Sequence, residues 1–339
     1  MNDFTLSVIV KWSGKTFTVD GLTLDSTVSE LREELYSLTD VRPDRQKLIH
    51  SKAKLTDGDR TLISVFNLNT NNTSANLTIS NVLMTGSTEE AIASVENHCP
   101  SPTEFVEDLE EVTHTQVESS LFNKPETIAK LNRRISNYKI TFRSELRTGR
   151  LLVLDIDYTL FDHRTPAERP SELARPGLHE FLALVYPHFD ICIWSATGMK
   201  WIELKMSELG LASNPAFTLS FYVCSRAMLS VMAKRRPSED FETLCDVKPL
   251  PVLWALLEGR YGPSNTIHVD DISRNYLLNP AQGLKIPPFK NAHQTRASDR
   301  VLWALGRYLI NLVEVHGEDF SGVSHRGWEK RVSKLEGDV

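Results

Sequence analysis

Three short apolar runs constrain the fold of this chain more than any other feature. They lie at residues 151–154, 190–194 and 266–269; the first is apolar throughout, the second is apolar after Asp190, and the third carries Ile267 and Val269. Short apolar runs of this kind are typical of strands that are buried on both faces. Helix-like stretches lie between them, at residues 176–186, 199–209 and 249–260. The alternation predicts an α/β domain with a doubly wound, Rossmann-like, mostly parallel sheet.

Polar residues follow each run. They are Asp155, Asp157, Thr159, Ser195, Ala196, Asp270 and Asp271. Ligands bind outside the carboxyl ends of the strands in such sheets, so we expect these side chains to meet in one crevice. Lys248 precedes a predicted helix and is expected to join them.

This set of residues matches the needs of phosphoester hydrolysis. A carboxylate can attack phosphorus and form an aspartyl phosphate, and we assign this role to Asp155. Asp157 is expected to act as general acid and then as general base. Lys248 would neutralise the nucleophile and the phosphoryl group. Mg²⁺ prefers oxygen ligands, and we predict Asp155, the backbone carbonyl of Asp157, and Asp270 as its ligands. Asp271 would support the metal through water or position Lys248.

The phosphate of the substrate needs hydrogen-bond donors. We expect the Ser195 hydroxyl and nearby amides, including that of Ala196, to bind a phosphoryl oxygen, and Thr159 to stabilise the loop. Each residue alone has an ordinary structural explanation, such as a helix cap or a turn. Their order after buried strands favours the catalytic interpretation.

The order of these motifs resembles the haloacid dehalogenase superfamily. The Asp-x-Asp-x-Thr form at residues 155–159 is similar to the branch that dephosphorylates the C-terminal domain of RNA polymerase II. The resemblance implies a phosphatase domain over residues 123–339, Mg²⁺ as cofactor, phosphoserine or phosphothreonine proteins as substrates, and a nuclear location. Two alternatives remain open, which are an inactive adaptor and a small-molecule phosphatase of the same superfamily.

The N-terminal residues indicate a separate small domain. Two β-rich runs flank the turn at residues 13–15, and Thr27 with Glu30 is a capping-box signature for the helix that follows. With residues 43–49 and 55–62, this order resembles ubiquitin. The resemblance implies an α+β ubiquitin-like β-grasp domain at residues 5–87. No Gly-Gly pair follows, so we expect an integral domain rather than a modifier.

The ubiquitin-like domain suggests a partner. Leu48 and Ile49 must face opposite sides of their strand, and we predict that Ile49 is the exposed one. Ile49 falls where the ubiquitin family has an apolar recognition patch. The resemblance therefore implies that Ile49 contacts the regulatory particle of the proteasome.

Residues 88–122 separate the two predicted domains. No Lys or Arg occurs between Thr61 and Asn123, and glutamates accumulate there. This composition favours an extended acidic linker, with a docking peptide as the alternative. The basic cluster Lys234-Arg235-Arg236 is open to three interpretations, which are an import signal, a substrate contact and a solvated loop.

Charge and cysteine usage narrow the function classes. The formal net charge of −6 gives no reason to expect nucleic-acid binding. No apolar run reaches the roughly 20 residues that span a bilayer, so we expect no membrane partner. The four cysteines are far apart and form no Cys-x-x-Cys pair, which favours a reducing compartment, nucleus or cytoplasm. We expect a monomer.

Overall fold

A computed structural model describes residues 5–51, 53–56, 58–68, 76–86, 121–233 and 242–337. The chain divides into two compact units, residues 1–104 and 105–339. The Lys234-Arg235-Arg236 cluster and the acidic segment up to residue 120 lie outside the described residues. Within the described part of the chain, no helix has both the length and the apolar character that a bilayer crossing requires.

The first unit is a mixed five-stranded sheet with a helix packed on one face. Its strands are β1 (Thr5–Trp12), β2 (Lys15–Leu22), β3 (Lys47–His50), β4 (Ala53–Lys54) and β5 (Asn76–Thr85). The sheet order is β2-β1-β5-β3-β4, in which β1 and β5 are parallel and the other neighbours are antiparallel. The helices are α1 (Val28–Thr39) and α2 (Leu62–Val65). The predicted ubiquitin-like β-grasp fold is confirmed.

The start of α1 follows from its sequence. The Thr27 hydroxyl accepts a hydrogen bond of 3.2 Å from the Glu30 amide, as the capping-box pattern predicts. Alternate residues of β1 and the apolar stripe of α1 then form the core of the unit. On β3, Leu48 is buried in this core, whereas Ile49 faces outward and is partly exposed.

The second unit is built around a parallel sheet. Its strands are β6 (Leu151–Leu154), β7 (Asp190–Trp194), β8 (Phe221–Val223), β11 (Thr266–Asp270) and β12 (Gly283–Lys285). Their order in the sheet is β12-β11-β6-β7-β8. The helices are α3 (Pro125–Asn137), α4 (Leu178–Val185), α5 (Met199–Glu208), α6 (Leu250–Leu256), α7 (Ala292–Thr295), α8 (Val301–His316) and α9 (Trp328–Gly337). The predicted parallel α/β architecture is confirmed, and all three apolar runs form its central strands.

An antiparallel hairpin extends the second unit. It consists of β9 (Leu229–Ala233) and β10 (Thr243–Val247) and carries the chain from β8 towards α6. Its inner face packs with Leu121 and Leu131 in a small separate cluster. Leu121 is 4% exposed, so this residue of the predicted linker segment packs with the second unit.

Candidate active site

Three charged side chains meet at the carboxyl end of the central strand. Asp155 follows β6, and its Oδ1 accepts a hydrogen bond of 2.5 Å from the Lys248 Nζ. The same Nζ lies 2.7 Å from Oδ2 of Asp270, at the end of β11. Because β6 and β11 are neighbours, Lys248 bridges the two carboxylates. All three side chains are buried. The structure therefore places these residues in the one crevice that their strand positions predict.

Asn275 positions both partners of this bridge. Its backbone carbonyl accepts a hydrogen bond of 2.7 Å from the Lys248 amide. Its Nδ2 donates to Oδ2 of Asp270 at 2.8 Å. Sequence reasoning gave Asn275 no role, although it follows Asp270 within a short polar run. In the sequence, the only indication of this role is that Asn275 lies five positions after Asp270.

Asp157 faces the end of the neighbouring strand, β7. Its Oδ2 accepts a 3.5 Å hydrogen bond from the Ser195 hydroxyl, which also lies 2.9 Å from the Thr197 hydroxyl. His163 Nδ1 is 3.5 Å from Oδ1 of Asp157. Ala196 is exposed beside them. The partly exposed Asp157 thus lies at the opening of the crevice, while Ser195 and Asp155 are buried within it.

The backbone between Asp157 and Thr159 is strained. Tyr158 has a φ of 58°, in the left-handed region that a bulky side chain rarely adopts. Its carbonyl accepts a hydrogen bond of 2.7 Å from the Phe289 amide, and its amide donates to the Phe161 carbonyl at 2.7 Å. These bonds stabilise a tight turn at Tyr158. The Asp157 side chain on one side of the turn contacts Ser195, and the Thr159 side chain on the other side contacts Asp271.

The buried side chain of Arg175 holds this loop by a hydrogen bond to its backbone. The guanidinium is 1% exposed and forms a 2.9 Å ion pair with Asp299. Its Nη1 donates to the Thr159 carbonyl at 3.1 Å. Thr159 in turn donates from its hydroxyl to Asp271, at 3.4 Å. Neither Arg175 nor Asp299 was among the sequence candidates, because nothing local marks their pairing.

Loss of Arg175 is expected to destabilise the second unit. Arg175→Met strands the Asp299 carboxylate and the Thr159 carbonyl, which should lower the free energy of unfolding by about 3–5 kcal/mol. Arg175→Lys should not restore it, because an ammonium cannot reproduce the forked contacts. Urea unfolding measures the change.

The control is Arg169→Met. The Arg169 side chain is 78% exposed and pairs with Glu172 in water, so its loss should change stability by less than about 1 kcal/mol. Equal effects of the two substitutions would contradict the proposed support of the loop.

Three carboxylates form a candidate metal site. Oxygen atoms of Asp155, Asp270 and Asp271 all lie within 4.8 Å of one another. All three residues are buried. The donor set consists of oxygen alone, which suits Mg²⁺. Asp271, which was predicted to act on the metal through water or on Lys248, has its carboxylate in this same cluster. The cluster is defined by side-chain atoms and does not include the Asp157 carboxylate, so the backbone carbonyl of Asp157 as a metal ligand stays a prediction.

The charge balance of the cluster also fits a divalent cation. Burial opposes ionisation of Asp270, but Lys248 and His268 together outweigh it and lower the Asp270 pKa. Burial raises the pKa of Asp155 well above its ordinary range, although Lys248 opposes this. Burial and the charge of Asp270 raise the pKa of Asp271 to about 7. Lys248 therefore balances one carboxylate, and a second source of positive charge would stabilise the other two as anions.

A separate cavity lies elsewhere in the second unit. It has a volume of 730 Å³ and is bounded by the segments around Tyr276 and Trp328. None of the predicted catalytic residues line it. This cavity is therefore distinct from the carboxylate crevice.

Each of the two units matches a known protein family. Residues 150–321 match the family described as NLI interacting factor-like phosphatase, and residues 6–73 match the ubiquitin family. The parallel-sheet unit, with its carboxylate crevice, is a phosphatase domain of this class.

Relatives match nearly the full length. A Drosophila melanogaster protein described as ubiquitin-like domain-containing CTD phosphatase 1 is 46% identical over 327 residues, 95% of each chain. The Homo sapiens protein of that description is 41% identical over 335 residues, 98% of this chain and 99% of that one. The chain belongs to the family of ubiquitin-like domain-containing CTD phosphatases.

Proposed function

We propose that this chain is a Mg²⁺-dependent protein serine/threonine phosphatase that works through a phospho-aspartyl intermediate. The observation that supports this most directly is the bridge from Lys248 to Asp155 and Asp270, at the ends of adjacent buried strands. Mg²⁺, held by Asp155, Asp270 and Asp271, would neutralise charge on the phosphoryl oxygens.

The first step transfers the phosphoryl group to the enzyme. Lys248 holds Oδ1 of Asp155, which leaves Oδ2 to attack phosphorus. The bond from phosphorus to the serine or threonine oxygen breaks in line with this attack. Asp157, in its protonated form, gives its proton to the departing alkoxide. The products are the free hydroxyl protein and an acyl phosphate on Asp155.

The second step releases phosphate. Asp157, now a carboxylate at the mouth of the crevice, removes a proton from water. The resulting hydroxide attacks phosphorus, the acyl phosphate bond breaks, and the Asp155 carboxylate is restored. The Ser195 hydroxyl lies near Asp157, where it can donate to a phosphoryl oxygen in both steps.

Two observations favour a protein substrate over the alternatives. An inactive adaptor has no need for a buried lysine with two carboxylate partners, whose assembly costs desolvation energy. A small-molecule phosphatase of this superfamily usually carries a large cap over the site. Between β6 and β7, the chain forms α4 and one short turn at Pro170–Glu172, which leaves room for a polypeptide to approach.

The test of this function is phosphate release from phosphopeptides. The purified chain with Mg²⁺ should release phosphate from phosphoserine and phosphothreonine peptides. Peptides of the RNA polymerase II C-terminal domain are suitable model substrates, since the relatives are described as CTD phosphatases. Turnover of small sugar phosphates with no turnover of any phosphopeptide would contradict the proposal.

The first unit supplies a docking surface in this proposal. Ile49 and Leu83 are register partners on β3 and β5, and Leu83 is 50% exposed. We define this pair as the apolar patch. Exposed Lys47 and Lys54 lie beside it. Apolar contact surrounded by positive charge favours a partner with acidic and apolar groups. We propose that this partner is the proteasome regulatory particle, and that the enzyme acts on proteasome-associated proteins in the nucleus.

A charge in the apolar patch should prevent docking. We expect Ile49→Asp to lower recovery of proteasomes in a pull-down by about 30-fold or more, because it buries an unpaired charge. Phosphopeptide turnover should not change, since the crevice lies in the other unit. Thr18→Asp is the control, because it adds the same charge at an exposed position on the edge strand β2. Normal recovery by a folded Ile49→Asp protein would mean that the docking surface is elsewhere.

A further inference from the structure

A second recess lies beside the catalytic loop. It has a volume of 350 Å³ and is formed by the loop that follows Asp157 and by the segment that leads into α7. Tyr158, Arg164, Lys290 and His293 are among the residues that line it. None of the catalytic residues assigned above belong to this lining. The recess therefore has no part in the proposed reaction steps.

Hydrogen bonds between the two segments hold the recess in shape. The Ala292 amide donates to Oδ2 of Asp162 at 2.9 Å, and the Phe289 amide donates to the Tyr158 carbonyl at 2.7 Å. The His293 Nε2 donates to the Pro166 carbonyl at 2.8 Å. These three bonds join the two walls at separate points. The recess is thus a preformed concavity, which lowers the entropic cost of binding.

The charge of the lining favours an anion. Asp162 is the one acid among the described residues that line the recess, and it is 1% exposed. Its Oδ2 already accepts hydrogen bonds from the Thr165 hydroxyl and the Ala292 amide. Arg164 is exposed and Lys290 is partly exposed on the same surface. Two cations thus face the recess, while its acid is buried within the wall.

The recess is continuous with the active-site loop. The Lys290 Nζ lies 4.9 Å from the centroid of the Tyr158 ring. Tyr158 is adjacent to Asp157 in the chain, in the strained turn described above. The recess therefore lies along one side of the crevice, next to Asp157. The side chains of a substrate that flank the phosphorylated residue on this side come within reach of Arg164 and Lys290.

We propose that Arg164 and Lys290 form a subsite for a second anionic side chain of the substrate, near the phosphorylated residue. The ligand chemistry is a carboxylate or a phosphate monoester on the same polypeptide. This inference rests on the proposed function, which it deepens by adding a charge preference. A substrate with acidic or multiply phosphorylated flanks is the preferred one.

Matched phosphopeptides test the subsite in the full chain. Each peptide carries one phosphoserine and, at a scanned neighbouring position, alanine, glutamate or a second phosphoserine. We expect kcat/KM to rise about tenfold when the second group is anionic at the right position, mainly through a lower KM. Lys290→Gln and Arg164→Gln should each reduce this preference to about threefold. The glutamate and phosphoserine peptides show whether the subsite takes both groups or requires phosphate.

Charge reversal distinguishes recognition from a structural effect. Lys290→Glu should disfavour the anionic flank and favour a peptide with lysine at the same position. Lys139→Gln removes a charge from an exposed residue outside the recess and should leave the preference unchanged. High salt should reduce the preference of the wild type, because the contacts are solvent-accessible.

Several results would overturn the subsite. Equal kcat/KM for all peptides at every position would do so, as would an equal loss of preference in Lys139→Gln or no reversal in Lys290→Glu. Release from the singly phosphorylated peptide would leave the protein phosphatase function intact in each of these cases. No release from any peptide would instead overturn both proposals.

Discussion

Asp155→Asn is expected to reduce phosphate release by about 10⁴-fold or more, because an amide cannot attack phosphorus. Acid quenching during turnover of a radiolabelled phosphopeptide should leave label on the wild-type chain. That label should be released by hydroxylamine, as an acyl phosphate is. The variant should carry no such label. A labelled Asp155→Asn chain, or near-normal turnover, would assign the nucleophile elsewhere.

The fold should survive this substitution. Asparagine has nearly the volume of aspartate, and Lys248 keeps its 2.7 Å contact with Asp270. A matched control is Asp190→Asn, since Asp190 is also fully buried but accepts hydrogen bonds from Tyr261 and Thr148, away from the crevice. That variant should be less stable than the wild type. Below its unfolding temperature, it should still retain phosphate release within about tenfold.

Removal of the metal is expected to have the second largest effect. Chelation should reduce phosphate release by about 10³-fold, and added Mg²⁺ should restore it. Asp270→Asn removes one of the three clustered carboxylates and should weaken Mg²⁺ binding measured by calorimetry, so that added metal no longer restores activity. The calorimetric readout separates a binding defect from a catalytic one. Full activity after exhaustive chelation would exclude the metal from the mechanism.

The regular parts of the fold were predictable because local patterns determine them. The uninterrupted apolar run 151–154 predicted the central strand because a strand covered on both faces buries consecutive apolar side chains, and a run of four is too short for a typical helix. Thr27 and Glu30 marked the start of α1 because the cap is made by residues three apart. The location of Asp155 and Asp270 followed from the rule that neighbouring parallel strands end at the same edge.

The supporting contacts were not predictable, because they join residues far apart in sequence. Arg175 and Asp299 are separated by 124 positions, and no composition or period links them. The recess likewise needs Lys290 beside Tyr158, which depends on how two loops meet. The position of Asp271 beside the other carboxylates depends on the turn after β11, which a strand pattern does not describe. Tertiary packing determines such contacts, and they cannot be predicted from the local propensity of the residues.

The position of Asp155 determines how much of the unit must unfold before the nucleophile is exposed to solvent. Its amide donates to the Val269 carbonyl at 3.1 Å, directly after a strand whose four residues are fully buried and paired on both sides. Amides in such a strand exchange with solvent only through large-scale unfolding. The nucleophile therefore lies in the part of the unit that opens last, while the recess is built on loops, which open more readily. Low denaturant or mild heating should therefore disturb the recess, and with it the preference among substrates, before it disturbs the nucleophile and the rate of phosphoryl transfer.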